Sequence, residues 1–166
     1  MSTRFKKIFL SLSIALPFLA YCVYYYGQMI RNAPYKYSEL VSIQFAAGQG
    51  KKVLADYNSE KAMYNYRTGR NDSLVHVKVK LFDRDRFYLH KQAADIGLWN
   101  MPDSMAGSGN APYYEVVFNY KRKSKRIYIA MDYRGKMKLK DAAIQISRTV
   151  EKTINDAEDQ QSAKGE

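Results

Sequence analysis

The sequence predicts an α+β chain: an N-terminal transmembrane helix, then an antiparallel sheet of about four or five strands packed on a C-terminal helix. Three observations carry this. An uncharged run, Ile8–Ile30, lies near the start of the chain. Several later segments alternate apolar and polar residues with the period of a strand. Finally, Ala143, Ile146, Val150, Ile154 and Ala157 recur at three- and four-residue spacing, which is one stripe of a helix.

As a helix rising about 1.5 Å per residue, the run spans roughly 34 Å. A bilayer's hydrocarbon core is about 30 Å thick, so one crossing fits with some tilt. Tyr21, Tyr24, Tyr25 and Tyr26 gather toward its far end, where an apolar ring with a polar hydroxyl suits the headgroup layer. Pro17 is tolerable as a kink in a membrane helix. One rival reading is a cleaved signal peptide, with Ile8–Leu16 as its apolar core and a cut after Cys22, Ala20 and Cys22 flanking Tyr21. Another makes Cys22 a lipidated residue, although Tyr21 stands where a small residue is wanted. The anchor is preferred because apolar character continues through Val23 into the tyrosines. Arg4, Lys6 and Lys7 precede the run, which favours a cytoplasmic N-terminus and places the rest outside, in the periplasm if the source is bacterial.

The expected organisation is then a basic segment 1–7, an anchor 8–30, a linker 31–36, an α+β domain 37–157 and a disordered polar tail 158–166. Three of the 27 basic side chains precede the run and all 16 acidic ones follow it, so the rest of the chain holds 24 against 16, a net +8. Such a surface attracts anionic lipid headgroups, acidic glycans, nucleic acid or an acidic partner. The single cysteine, Cys22, lies inside the run, so the domain expects neither disulfide nor cysteine-based zinc site.

In chain order, "RNAPYK" reads as a linker whose Pro34 stops the helix. "YSELVSIQFAAGQG" is assigned to a short helix capped by Ser38 and ended at Gly48, although Val41, Ile43 and Phe45 alternate with Ser42 and Gln44 as in a strand. "KKVLADY" and "KAMYNYRT" are strands, and "GRND" is a turn. "SLVHVKVKLF" is the clearest strand: Val75, Val77, Val79 and Leu81 point one way, His76, Lys78 and Lys80 the other. "DRFYLHKQAADIGLWNM" is a helix ending near Trp99 and Met101, and "MAGSGNAP" a surface loop. "YYEVVFNYK" and "RIYIAMDY" form a hairpin joined by "RKSK". Asp141 caps the last helix.

No catalytic pattern emerges, no cofactor or metal is expected, and the reading is not of an enzyme. His76 and His90 lack metal-ligand spacing. Asp83 and Asp85 alternate with Arg84 and Arg86, which reads as a self-neutralising turn; an acid pair with His90 would be the core of a small hydrolase. Asn71-Asp72-Ser73 fits the glycosylation triplet.

Two binding features stand out. The hairpin tip carries Lys121, Arg122, Lys123, Lys125 and Arg126, a surface for anionic headgroups or an acidic partner, or a charged tip that discourages aggregation. The chain also holds 15 tyrosines. Tyr114, Tyr120, Tyr128 and Tyr133 are taken as candidate recognition plates, against their plain role as strand residues. The expected function is a single-pass membrane protein with an extracytoplasmic binding or assembly domain in a membrane-associated complex. A tethered or secreted binder of an anionic polymer, glycan or lipid, is the alternative. Nucleic acid enters only if the topology is reversed.

Overall fold

The computed structural model describes residues 3–32, 35–69 and 72–163, and within the first helix the side chains of 12–27 except Ile14. The chain divides into two units, 1–35 and 36–166.

The first unit is one helix, α1 (Thr3–Asn32), with Pro17 inside it. It ends two residues before Pro34, whose ring disfavours helical geometry in the residue preceding it. Leu16, Phe18, Leu19, Val23, Tyr24 and Tyr26 are all more than half exposed. Tyr21 and Tyr25, four apart on one face, stack at 6.1 Å. Among the described residues no helix is long and apolar enough to cross a membrane, so the expected span finds no support in them. The expected basic flank 1–7 and residues 33 and 34 of the linker lie outside the described side chains.

The second unit is α+β. Its strands are β1 (Leu40–Gln49), β2 (Lys52–Asn58), β3 (Met63–Arg67), β4 (Leu74–Lys78), β5 (Ser104–Met105), β6 (Pro112–Tyr120) and β7 (Ser124–Ala130), with helices α2 (Asp83–Asp95) and α3 (Met137–Ser162). They form one seven-stranded sheet in the order β4-β3-β2-β1-β6-β7-β5. All pairs are antiparallel except β5 with β7. The sheet is therefore larger than expected, and mixed. The parallel pair comes from Met105, fully buried at the start of the segment assigned to a loop.

The main correction concerns β1. The segment assigned to a helix is a central strand after a single 3-10 turn, Tyr37–Glu39. The alternation was present, but a bulge between Leu40 and Ser42 breaks it. Val41 is thereby turned out to 47% exposure, while Leu40, Ile43 and Phe45 face the core. A second irregularity falls at Ala47/Gly48. There a Cβ would strike the Lys52 carbonyl and the Tyr113 ring, so glycine is required by close approach.

Across the sheet one row runs Val77, Tyr64, Tyr57, Phe45, Val116, Ile127. That row is the core face. The expected stripe of α3 lies on it, with Ile146, Val150 and Ile154 fully buried, each contributing about 1.5–3 kcal/mol. The opposite face is polar; on it His76 Nδ1 meets Asn65 Oδ1 at 2.6 Å, and Asn65 Nδ2 donates to Asp56 at 2.8 Å.

Four helix boundaries also differ from expectation. "DRDR" is the first turn of α2, where Asp85 accepts the Phe82 N–H at 3.1 Å and both acids meet the positive end of the helix dipole. α2 stops at Asp95 and Gly97 follows at φ +76°, leaving Trp99 on a separate 3-10 turn. α3 begins at Met137, so Asp141 lies a turn inside it. It also continues through the expected tail to Ser162, because Gln161 pairs with both backbone groups of Lys80 at 3.0 Å and Tyr66 donates to Glu158 at 3.2 Å. Residues 164–166 lie outside the described ones.

Candidate functional site

The chain joins the second unit at Lys36–Glu39, and this root is built as a node. Tyr37 donates its hydroxyl to the Asp83 carbonyl at 3.0 Å and also meets the Asp83 carboxylate. Its ring stands edge-on to Phe87 at 5.2 Å. Beside the bulge the Arg86 guanidinium donates to the Leu40 and Val41 carbonyls, one nitrogen reaching both at 2.8 Å.

The hairpin tip folds back to the same place. Lys121 N–H donates to the Glu39 carbonyl at 2.9 Å, and the Arg122 guanidinium pairs with the Glu39 carboxylate at 2.9 Å. Lys121 and Arg122 are exposed and Lys123 is half-buried. Around the root stand apolar groups turned to solvent: Val41 at 47% and Phe87 at 52% exposure. Cations and an aromatic ring thus share one end of the domain.

The other two members of the expected basic cluster are elsewhere. Lys125 is 7% exposed. It lies on the core face with Ile127 and Ile129, donating to the Asp103 carboxylate at 2.6 Å and to the Met101 carbonyl. Its alternation with those isoleucines was the available signal. Arg126 is on the polar face, paired with Glu115 at 2.7 Å. The tip is therefore Lys121, Arg122 and Lys123.

The candidate tyrosines do not form one surface. Tyr120 is buried, with His90 Nδ1 2.8 Å from its hydroxyl. Burial lowers the His90 pKa, favouring a neutral ring hydrogen-bonded to the phenol. Tyr128 stacks on Tyr113 at 5.3 Å on the polar face. Tyr133 is half-buried against Gly135. Tyr114 faces α3 beside Phe45 at 6.0 Å and is bonded to Glu151. Together with Tyr64, Tyr66 and Tyr113 it borders a cleft of about 620 Å³, which the sequence did not reveal because its walls come from four strands and a helix.

Asp83 and Asp85 do not converge with His90; Asp83 serves Tyr37 and Asp85 caps α2. Among the described residues no group of three or more His, Cys, Asp or Glu side chains is placed to hold a metal ion. Asn71 of the glycosylation triplet lies outside the described residues. No known protein family matches the chain, and no characterised protein matches it.

Proposed function

We propose that the chain is a membrane-anchored, non-enzymatic binding or assembly subunit whose α+β domain lies outside the cytoplasm and rests its root on the anionic bilayer. The observation that carries this reading is Glu39, which holds the basic hairpin tip against the point where the chain joins the domain. The anchor in this reading is the full run Ile8–Ile30, longer than the part of α1 whose side chains are described. The linker after it is only a few residues long, so an anchor there keeps the root near headgroups. Lys121 and Lys123 would then add up to about 2 kcal/mol of attraction near an anionic surface, the Arg122 charge being offset by Glu39. Phe87 is suited to the interfacial layer, as aromatic rings are. The partner in assembly is a membrane-associated protein held at that surface.

The test uses the full chain reconstituted in lipid nanodiscs. Hydrogen exchange at 84–88 and 121–123 is expected to slow in anionic discs relative to zwitterionic ones, with the difference removed by Lys121→Ser/Arg122→Ser/Lys123→Ser and by high salt. Equal exchange in both discs overturns the root contact. Protease protection in intact cells, lost when the outer barriers open, checks the topology. The net +8 of the chain beyond residue 30 favours a second reading, an acidic glycan as the anionic ligand, which predicts binding of heparin in solution by the same three residues without any lipid.

A further inference from the structure

The cleft lies at the other end of the sheet from the root. Leu40 and Gly48 are eight residues apart along β1, which at about 3.4 Å per residue is roughly 27 Å. Its floor is made of small residues, Ala47, Gly48 and Ala55, at the centre of the sheet. Three tyrosines, Tyr64, Tyr66 and Tyr114, rise around this floor on the side of α3. Tyr64 and Tyr66 have ring centroids 5.1 Å apart at 42°. Tyr114 stands beside them, facing α3, whereas Tyr113, stacked on Tyr128, covers Gly48 from the opposite face of the sheet.

The second half of α3 closes the cleft with Glu151, Asn155, Glu158 and Asp159. Glu151 is held by Tyr114 and Glu158 by Tyr66, across 3.2 Å. The single basic residue of the lining, Arg67, is already engaged: it donates to the Asp72 carbonyl at 3.1 Å and to the Val53 carbonyl at 3.2 Å, with the Asp72 carboxylate at 3.5 Å. A chain of net charge +11 therefore contains a concave site where three carboxylates face one committed arginine. Aromatic faces attract cations through their quadrupole, most strongly where water is excluded. A neutral sugar could use the rings and hydrogen-bond the carboxylates but would leave their charge unbalanced, and an anion would be repelled.

We propose that this cleft binds an organic ammonium ion, with the ammonium seated among Tyr64, Tyr66 and Tyr114 and its charge met by Glu151 and Glu158. The volume suits a small molecule or one long side chain. Two sources share this chemistry, a free amine and the lysine side chain of a partner protein. The site stands apart from the root and does not depend on the bilayer reading.

The experiment is calorimetric titration of the full chain in zwitterionic nanodiscs, with tetramethylammonium and with the peptide Gly-Lys-Gly, against glucose and Gly-Glu-Gly as controls. Saturable binding of the cations alone is expected. Glu151→Gln/Glu158→Gln should weaken it at least tenfold while leaving the melting temperature within a few degrees. Lys121→Ser/Arg122→Ser/Lys123→Ser should leave it unchanged, which separates this site from the root contact. Tighter binding of the lysine peptide assigns the site to a partner's lysine, and tighter binding of tetramethylammonium to a free amine. No saturable binding of either cation, equal binding of glucose, or full affinity in a folded Glu151→Gln/Glu158→Gln variant overturns the proposal.

Discussion

Arg122 reaches Glu39 across 83 positions of sequence, guanidinium to carboxylate at 2.9 Å. The contact joins a β-hairpin tip to the root of the domain. Glu39 is mostly shielded while Arg122 is 62% exposed, so the charge attraction is screened on one side. Glu39→Gln is expected to cost less than about 1 kcal/mol in urea unfolding. Its visible effect should be local: faster tryptic cleavage at Arg122, since the tip loses its side-chain tether but keeps the backbone bond from Lys121. Unchanged cleavage would show that the backbone bond alone fixes the tip.

Lys125 gives a prediction of opposite kind. Its ammonium is buried, with Asp103 and the Met101 carbonyl as acceptors. Lys125→Ala leaves that carbonyl without its donor and opens a gap beside Ile127. A loss of about 2–4 kcal/mol is expected in chemical denaturation. Asp103 is 72% exposed, and water can replace its partner, so Asp103→Asn should cost under about 1 kcal/mol. Equal losses for the two variants would contradict this assignment.

The end of α3 is expected to be structural rather than a tail. Truncation after Ala157 removes Gln161, which pairs with the N–H and the carbonyl of Lys80, and Glu158, which accepts from Tyr66. Amide exchange should rise in β3 and β4 more than in β6 and β7. Ile154→Ala, in the same helix but fully buried, should cost about 2–5 kcal/mol globally. Exchange that rises uniformly in the truncated chain would deny Gln161 its local role.

Much of this fold was legible where one face is buried and the period is unbroken. The hairpin of β6 and β7, the β4 pattern, which stops at Lys78 although Val79 and Leu81 beyond it stay buried, and the α3 stripe follow directly from alternation or helical spacing. β1 was misread because its bulge at Val41 puts an exposed valine out of phase and buries Ser42 beside it, where Asn119 bonds its hydroxyl at 3.0 Å. The tail of α3 looked featureless because its order comes from two polar side chains that find partners 81 and 92 positions away. Lys125 was grouped with the tip by charge, although its parity with Ile127 and Ile129 placed it inside. The cleft was invisible because no local segment contains more than a fraction of its lining.

The last prediction concerns pH. His90 lies between Tyr37, Trp99 and Tyr120, with ring centroids 5.7–5.9 Å away, and its Nδ1 bonds the Tyr120 hydroxyl. Burial lowers its pKa below the ordinary 6.5. The unfolded chain therefore takes up this proton first, and folding stability should fall as pH drops through about 6.5 toward the lowered folded value, then level off. Charges facing the cluster are few: Asp83 bonds the Tyr37 hydroxyl, and Arg86 holds the neighbouring carbonyls. Glu151 works in the opposite sense, because burial raises its pKa above 4.5; protonating it on acidification stabilises the fold. The two are separated by the difference curve between the parent chain and His90→Gln in urea unfolding from pH 7.5 to 5. The parent should lose stability relative to the variant across that range. A flat difference would mean that His90 is protonated as readily in the folded domain as in the unfolded chain, and that its bond to Tyr120 survives the charge.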